Sequence, residues 1–96
     1  MSYADPIQRR KLISGLRALA DFLESDPEIP APPYTEVLVF PSRSSDIEDQ
    51  REIDAIASRI GSGTETTRPH RHYLTSRVFG AVKYRAVAIP ATGKDR

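Results

Sequence analysis

Apolar side chains recur at helical spacing near the start of the chain, and polar side chains fill most of the positions between them. At 3.6 residues per turn the apolar positions fall on one face of a helix. We expect this face to be buried in the core of the protein. Its members are Leu12, Ile13, Leu16, Leu19, Ala20 and Leu23.

Signals at both ends set the limits of this first helix. Asp5 and Gln8 have the spacing of a capping box, in which each side chain bonds to the other residue's backbone amide. Pro6 suits the first helical position, where no amide hydrogen is needed. Pro27 follows shortly afterwards, so the helix is predicted to end at about Ser25.

A stiff connector and a first strand are predicted next. The connector, PEIPAPP at residues 27–33, is rich in proline and therefore extended. The segment TEVLVF, residues 35–40, alternates two valines with Leu38 and Phe40, so both of its faces are apolar. This pattern is typical of a strand buried on both sides or central in its sheet.

A second helix is predicted after Pro41. Ser45 and Glu48 form a second capping-box pattern, and Gly61 is a common helix C-terminal residue. The helix is therefore expected to run to about Ile60, followed by a flexible loop, SGTETT. Its apolar face consists of Ile53, Ile56, Ala57 and Ile60.

Two further strands are predicted at about residues 70–78 and 82–89, with a turn at Phe79-Gly80. The fold class is therefore α+β in the order α-β-α-β-β. We expect a three-stranded, mainly antiparallel sheet covered by two helices. The expected core is Leu12, Leu16, Leu19, Leu23, Val37, Val39, Ile53, Ile56 and Ile60.

Length and composition limit the class of protein. A chain of 96 residues corresponds to a single domain, 1–96, for which we expect an ordered core of about 5–90 and a flexible tail, 91–96. The absence of cysteine excludes disulfides, thiolate catalysis and cysteine-based zinc sites. No apolar run is long enough to span a membrane, and the first residues lack a secretory signal. We therefore expect a cytoplasmic protein without a membrane partner.

The chain is asymmetric in charge although its net charge is only +1. Residues 1–67 carry seven Lys and Arg against twelve Asp and Glu, whereas residues 68–96 carry seven against one. Such asymmetry is typical either of a polyanion-binding end or of surfaces that pair within or between molecules.

The sequence contains no complete catalytic or metal-binding pattern. His70 and His72 lie on one side of a predicted strand, but a zinc site needs further ligands, and the neighbouring arginines repel a dication. The only glycine-rich stretch, residues 61–64, lacks the lysine of a phosphate loop, and there is no nucleophile elbow. We expect no enzyme activity, no catalytic residues, no metal, no cofactor and no small-molecule substrate.

The predicted C-terminal hairpin is basic and aromatic. Alternation places Arg71, Tyr73, Thr75, Arg77 and Phe79 on one strand face. Cations and rings on an open sheet can hold phosphates and stack on bases, so the hairpin is a candidate nucleic-acid surface. The residues proposed for this role are Arg71, Tyr73, Arg77, Lys83, Tyr84 and Arg85.

Three segments resemble small actinobacterial and actinophage proteins of unassigned function. They are LISGLRALADFLESDPEIPAPPY, VLVFP and YLTSRVFGAVKYRAVAIP, and the likeness covers roughly residues 10–90. The resemblance implies a cytoplasmic accessory protein of a host or mobile element, and it assigns no activity to any residue.

The function favoured by the sequence is a small non-enzymatic interaction module. A small sheet leaves edge strands open, so we expect it to bind a protein partner or to self-associate, as a homodimer, through its sheet. The alternative is a nucleic-acid-binding protein that uses the basic C-terminal hairpin.

Overall fold

The described part of the chain contains two helices and four strands, and the fold is α+β as predicted. The computed structural model describes residues 3–41 and 45–90, and the predicted tail at 91–96 lies outside this range. The elements are α1 (Pro6–Ser25), β1 (Thr35–Val39), α2 (Asp46–Ile60), β2 (Glu65–Thr66), β3 (Tyr73–Phe79) and β4 (Val82–Ala88).

The chain divides into two compact units. One is Ala4–Pro33, which contains α1 and the whole of the proline-rich connector. The other combines Met1–Tyr3 with Tyr34–Arg96 and contains α2 and the whole sheet.

The predicted limits of α1 are confirmed because they depend on local hydrogen bonds. Asp5 Oδ1 accepts from the backbone amide of Gln8 at 2.8 Å, and Gln8 Oε1 accepts from the backbone amide of Asp5 at 2.9 Å. This reciprocal pair satisfies amides that the first helical turn leaves without partners. The helix begins at Pro6 and ends at Ser25.

The limits of α2 are confirmed in the same way. Ser45 Oγ accepts from the amide of Glu48 at 3.2 Å. Gly61 ends the helix with a φ of 70°, in the left-handed region that favours glycine. The amide of Ser62 donates to the carbonyl of Ala57 at 3.0 Å and closes this end.

The sheet differs from the predicted one in number of strands and in pairing. It has four strands in the order β1-β4-β3-β2, and it is mixed rather than mainly antiparallel. β3 pairs antiparallel with both β2 and β4, whereas β1 pairs parallel with β4. The connection from β1 through α2 to the other strands permits the parallel pairing, because such pairs need a long crossover.

β1 lies at an edge of the sheet, so its predicted central position was wrong. Among the described residues its one strand neighbour is β4, with Val37 opposite Tyr84 and Val39 opposite Ala86. Leu38 points to the other face and remains 49% exposed. Apolar residues on both faces of a short strand therefore did not indicate burial on both sides.

The strand limits in the C-terminal half also required correction. The two-residue β2 falls in the predicted flexible loop, where Glu65 pairs with Leu74 and Thr66 with Tyr73. β3 begins at Tyr73 rather than at about residue 70, because Arg71 has a φ of 58°, which a strand does not accommodate.

Phe79 belongs to β3 and pairs with Val82, so the turn contains Gly80 and Ala81. Gly80 has a φ of 64°, and such positive angles are required in tight hairpin turns.

The core lies between α2 and the central strands. Ile53 of α2 is fully buried against Ala86 and Ala88 of β4, whose small side chains let the helix approach the sheet closely. Half-buried side chains surround this cluster: Val39, Ile56, Tyr73 and Tyr84. On the opposite face of the sheet, Leu74 and Val87 pair across the strands and are buried as well.

The predicted burial of the α1 leucines was wrong. Within α1, all of which the structure describes, no residue is buried. Leu12, Leu16 and Leu19 are exposed, and Leu23 is only half-buried. Of the other predicted core residues, Ile53 is fully buried, whereas Val37, Val39, Ile56 and Ile60 are half-buried.

Candidate interaction surface

The apolar face of α1 is the largest set of exposed apolar side chains on one described element. We call Leu12, Leu16, Leu19 and Leu23 the leucine line. The first three are 50%, 43% and 51% exposed. Beside the line, Ile13 and Phe22 are exposed as well. Contiguous exposed apolar surface of this kind marks interaction sites on soluble proteins.

Burial of the apolar face of α1 against a partner would be energetically favourable. Fully burying a leucine side chain stabilises by about 1.5–3 kcal/mol relative to leaving it exposed. A helix of 20 residues is only slightly longer than the length at which isolated helices are marginal in water. Most helical stability in proteins comes instead from packing of an apolar face. A partner on this face would therefore stabilise α1 itself.

The leucine line ends in opposite charges. Its spacing of four, three and four residues continues by three residues in each direction, to Arg9 and to Asp26. These two residues are not among the predicted site residues, although the heptad spacing 9, 12, 16, 19, 23, 26 is visible in the sequence. Asp26 is the C-cap residue, and its Oδ1 accepts from the amide of Glu28 at 3.0 Å.

The charges of the unit are segregated along its length. Residues 6–17 contain four basic side chains and no acidic one, and residues 18–28 contain four acidic side chains and no basic one. The helix therefore presents a positive N-terminal half and a negative C-terminal half on either side of its apolar face.

The six residues proposed for nucleic-acid binding lie on two faces of the sheet and in a loop. Tyr73, Arg77 and Tyr84 lie on the face that packs against α2, as the pairing of Arg77 with Tyr84 requires. Lys83 and Arg85 lie on the opposite face, and Arg71 precedes β3. The fold therefore does not bring the six together.

Tyr73 is occupied by contacts with α2 and the following loop. Its hydroxyl donates to Asp54 Oδ1 at 2.5 Å and lies 3.0 Å from Thr64 Oγ1. The hydrogen bond to the Asp54 carboxylate raises the pKa of Tyr73, because only the neutral phenol can donate this bond. This ring packs against the core rather than presenting a face for stacking on a base.

Thr75, which lies on the same strand face, is buried, and its Oγ1 donates to the carbonyl of Gly63 at 2.8 Å. Arg77 Nη1 lies 3.5 Å from the carbonyl oxygen of Ile60, and its guanidinium carbon lies 5.2 Å from the centre of the Phe79 ring. Tyr84 is half-buried and packs against the core cluster. The α2 side of β3 is therefore mainly a structural surface.

The opposite face holds a cation pair that is partly neutralised. Arg85 Nη1 lies 3.8 Å from Glu36 Oε1, and Glu36 is paired in register with Lys83. Both Lys83 and Arg85 are half-buried. Glu36, Lys83 and Arg85 therefore link the edge strand β1 to β4, and they leave some positive charge on this face.

The two histidines lie close together, with ring centres 5.7 Å apart and planes tilted by 32°. Among residues 3–41 and 45–90, no group of three or more His, Cys, Asp or Glu side chains is placed to hold a metal ion.

Tyr3 is a contact that the sequence did not indicate. Burial and a hydrogen bond with the Glu52 side chain raise its pKa well above the usual range, and Tyr84 and Asp49 add to the effect. Tyr3 therefore contacts α2 through Glu52.

Comparisons of the chain with protein-family models, with curated proteins and with solved structures each give no match. Within the part of the chain that the structure describes, neither helix is apolar enough over a sufficient length to cross a bilayer.

Proposed function

We propose that the protein is a small non-enzymatic interaction module, and that it binds a protein partner or a second copy of itself through the apolar face of α1. The observation that supports this function is the exposure of the leucine line on a well-capped helix that buries none of its residues. Recognition of an amphipathic helix by an apolar groove or a second helix is a common mode of protein association.

The edges of the sheet offer a smaller surface for the same function. β2 contains two residues and β1 contains five, so the β1 edge is the longer template for pairing with another strand. Leu38 and Phe40, both exposed, lie at this edge. We regard α1 as the principal contact because it combines more apolar side chains with a defined charge pattern.

The nucleic-acid alternative has weaker support. It relies on the excess of positive charge in residues 68–96, whereas two of its proposed rings, Tyr73 and Tyr84, pack against the core. Charge alone supplies weak, salt-sensitive binding without base recognition. A cytoplasmic location is part of the proposal, and the absence of cysteine is consistent with it.

Site-specific photo-crosslinking in the cells that produce the protein tests the proposal. A photoreactive amino acid at Leu16 lies in the leucine line, and the same group at Ser14 lies on the opposite face of the helix and is the matched control. We expect a discrete covalent adduct from position 16 and none from position 14. The mass of the adduct distinguishes a second copy from a different protein.

Two results would contradict this function. One is the absence of an adduct from position 16 when the protein is folded and the reagent is active. The other is equal labelling from positions 14 and 16, which would indicate random collisions rather than a defined face.

A further inference from the structure

We infer that α1 pairs with α1 of a second copy of the chain in the antiparallel sense. This inference rests on the proposed function and identifies the occupant of the leucine line. The line has a spacing that is the same when read from either end, and it carries opposite charges at its two ends. Both properties are required of a surface that pairs with itself about a two-fold axis.

The spacing defines one register. The line runs 12, 16, 19, 23, with intervals of four, three and four residues. An antiparallel partner presents the same intervals in reverse, so Leu12 meets the partner's Leu23 and Leu16 meets the partner's Leu19. All four leucines of each copy are then opposite leucines, in the knobs-into-holes manner of paired helices.

The charges select the sense of pairing. In the same register Arg9 meets the partner's Asp26, and the two-fold axis makes this contact twice. All charged side chains in residues 6–17 are basic, and all those in residues 18–28 are acidic. In the antiparallel pair, residues 6–17 of one copy lie along residues 18–28 of the other. A parallel pair would place like charges together along its entire length, so it is disfavoured.

Charge reversal at the two ends tests this arrangement by sedimentation equilibrium of the full chain. We expect the wild type to shift from 10.7 kDa towards twice that mass as its concentration rises. Arg9→Glu and Asp26→Lys each place like charges together at both ends, and we expect each to raise the dissociation constant on the order of tenfold.

The double variant Arg9→Glu with Asp26→Lys is the decisive control. It restores opposite charges at both ends of an antiparallel pair, so we expect its dissociation constant to return towards that of the wild type. In a parallel pair all four proteins would place like charges together, and restoration would not occur.

Unfolding of the helix would not produce this pattern. Glutamate at position 9 lies near the positive end of the helix dipole, and lysine at position 26 lies near the negative end, so the dipole favours the helix in both variants. Asp26→Lys also removes the hydrogen bond that Asp26 accepts from the amide of Glu28, but this bond lies beyond the last helical residue. Circular dichroism of each variant checks that α1 remains formed.

Cysteine cross-linking is an independent test of the antiparallel sense of pairing. The chain contains no cysteine of its own, so each introduced cysteine is the only one that can react. We expect Leu12→Cys mixed with Leu23→Cys to form a disulfide-linked dimer under mild oxidation. Each variant alone should not, because identical positions in the antiparallel pair lie about 16 Å apart along the axis, beyond the roughly 7 Å that a disulfide allows.

A different set of results would overturn the inference without removing the proposed function. Cross-linking of each single-cysteine variant with itself would indicate a parallel pair. A mass of 10.7 kDa at every concentration would exclude self-pairing, and a heterologous adduct from position 16 would then identify another protein as the partner. Absence of any adduct from position 16 would contradict both the self-pairing and the proposed function.

Discussion

Tyr73 connects the sheet to α2 and to the loop before β2 through one hydroxyl group. That hydroxyl donates to Asp54 and lies within hydrogen-bond distance of Thr64. A neutral phenol can donate this bond, and a phenolate cannot. The folded state therefore favours the protonated form of the residue, which links stability to pH.

We expect Tyr73→Phe to lower the free energy of unfolding near neutral pH by about 0.5–1.5 kcal/mol, the usual net value of a hydrogen bond. The pKa of Tyr73 is raised above its ordinary value of 10.0. The stabilisation is therefore complete below pH 10 and is lost as the pH rises through the folded-state pKa.

Urea denaturation between pH 7 and 11 measures this effect. The wild type should lose stability above pH 10 more steeply than Tyr73→Phe, and part of the remaining loss belongs to Tyr3, whose pKa is also raised. Tyr34→Phe, at a tyrosine that is 65% exposed, is the matched control. Parallel pH profiles for the wild type and Tyr73→Phe would contradict the assignment.

Ile53 and Ile47 allow a comparison of burial within one helix. Ile53 is fully buried, whereas Ile47 is 63% exposed. We expect Ile53→Ala to lower the free energy of unfolding by about 2–5 kcal/mol, because it leaves a cavity against β4. Ile47→Ala should change it by no more than about 0.5 kcal/mol. Similar losses for both variants, measured by urea denaturation, would place the core elsewhere.

At the scale of elements, the limits of the helices were predictable from the sequence. What packs against each helix was only partly predictable. The caps at Asp5 and Ser45 are signals within four residues, so the sequence defined both helix starts. The stripe of α1 showed that the helix needs an apolar partner, but amphipathicity does not identify that partner. Burial of the leucine line was therefore the natural expectation and was wrong.

The sheet was less predictable because its pairing is distant in sequence. Local alternation indicated β3 and β4 and their hairpin. Nothing local in residues 35–39 indicates a parallel pairing with residues 82–86. β2 was missed because two residues carry too little pattern to distinguish a strand from a loop.

In the candidate site, too, local features were predictable and tertiary contacts were not. Reading the hairpin as one alternating surface placed Tyr73 and Arg77 on a common face correctly. It did not reveal that α2 and its following loop occupy that face, because this packing is a tertiary contact. Arg9 and Asp26, which flank the leucine line at heptad spacing, were predictable from the sequence but were not predicted.

The two N-caps should respond differently to removal. α1 buries no residue, so at concentrations where the chain is monomeric we expect Asp5→Ala to reduce the helical circular dichroism signal. Ser45→Ala should leave the signal unchanged and lower the free energy of unfolding by about 1 kcal/mol, because packing against the sheet holds α2 in place. An unchanged signal in Asp5→Ala would show that packing also holds α1.

At the scale of the whole molecule, the distribution of cations limits nucleic-acid binding. Arg77 lies on one face of the sheet, whereas Lys83 and Arg85 lie on the other. A single strand crossing one face therefore meets at most two of the cations of β3 and β4.

We expect any binding of a labelled single-stranded oligonucleotide to be weak, with a log–log salt slope no steeper than about −1.4 for two phosphate contacts. Fluorescence polarisation over a range of salt concentrations measures this slope. A slope of about −2 to −3, reduced by Arg77→Glu, would instead favour the nucleic-acid alternative. Tyr34→Phe provides a control variant that leaves the charge unchanged.

The central place of β4 in the sheet has a consequence for synthesis of the chain. β1 is synthesised before its partner β4, which is the last strand among the described residues and is separated from β1 by residues 40–81. At a synthesis rate of 5–20 residues per second, β1 waits roughly 2 to 8 s for that partner. During this interval α1 can close its own hydrogen bonds, whereas the sheet cannot. Any nascent chain that stops before Val82 therefore carries an open strand, and such intermediates are the species that chaperones and proteases recognise.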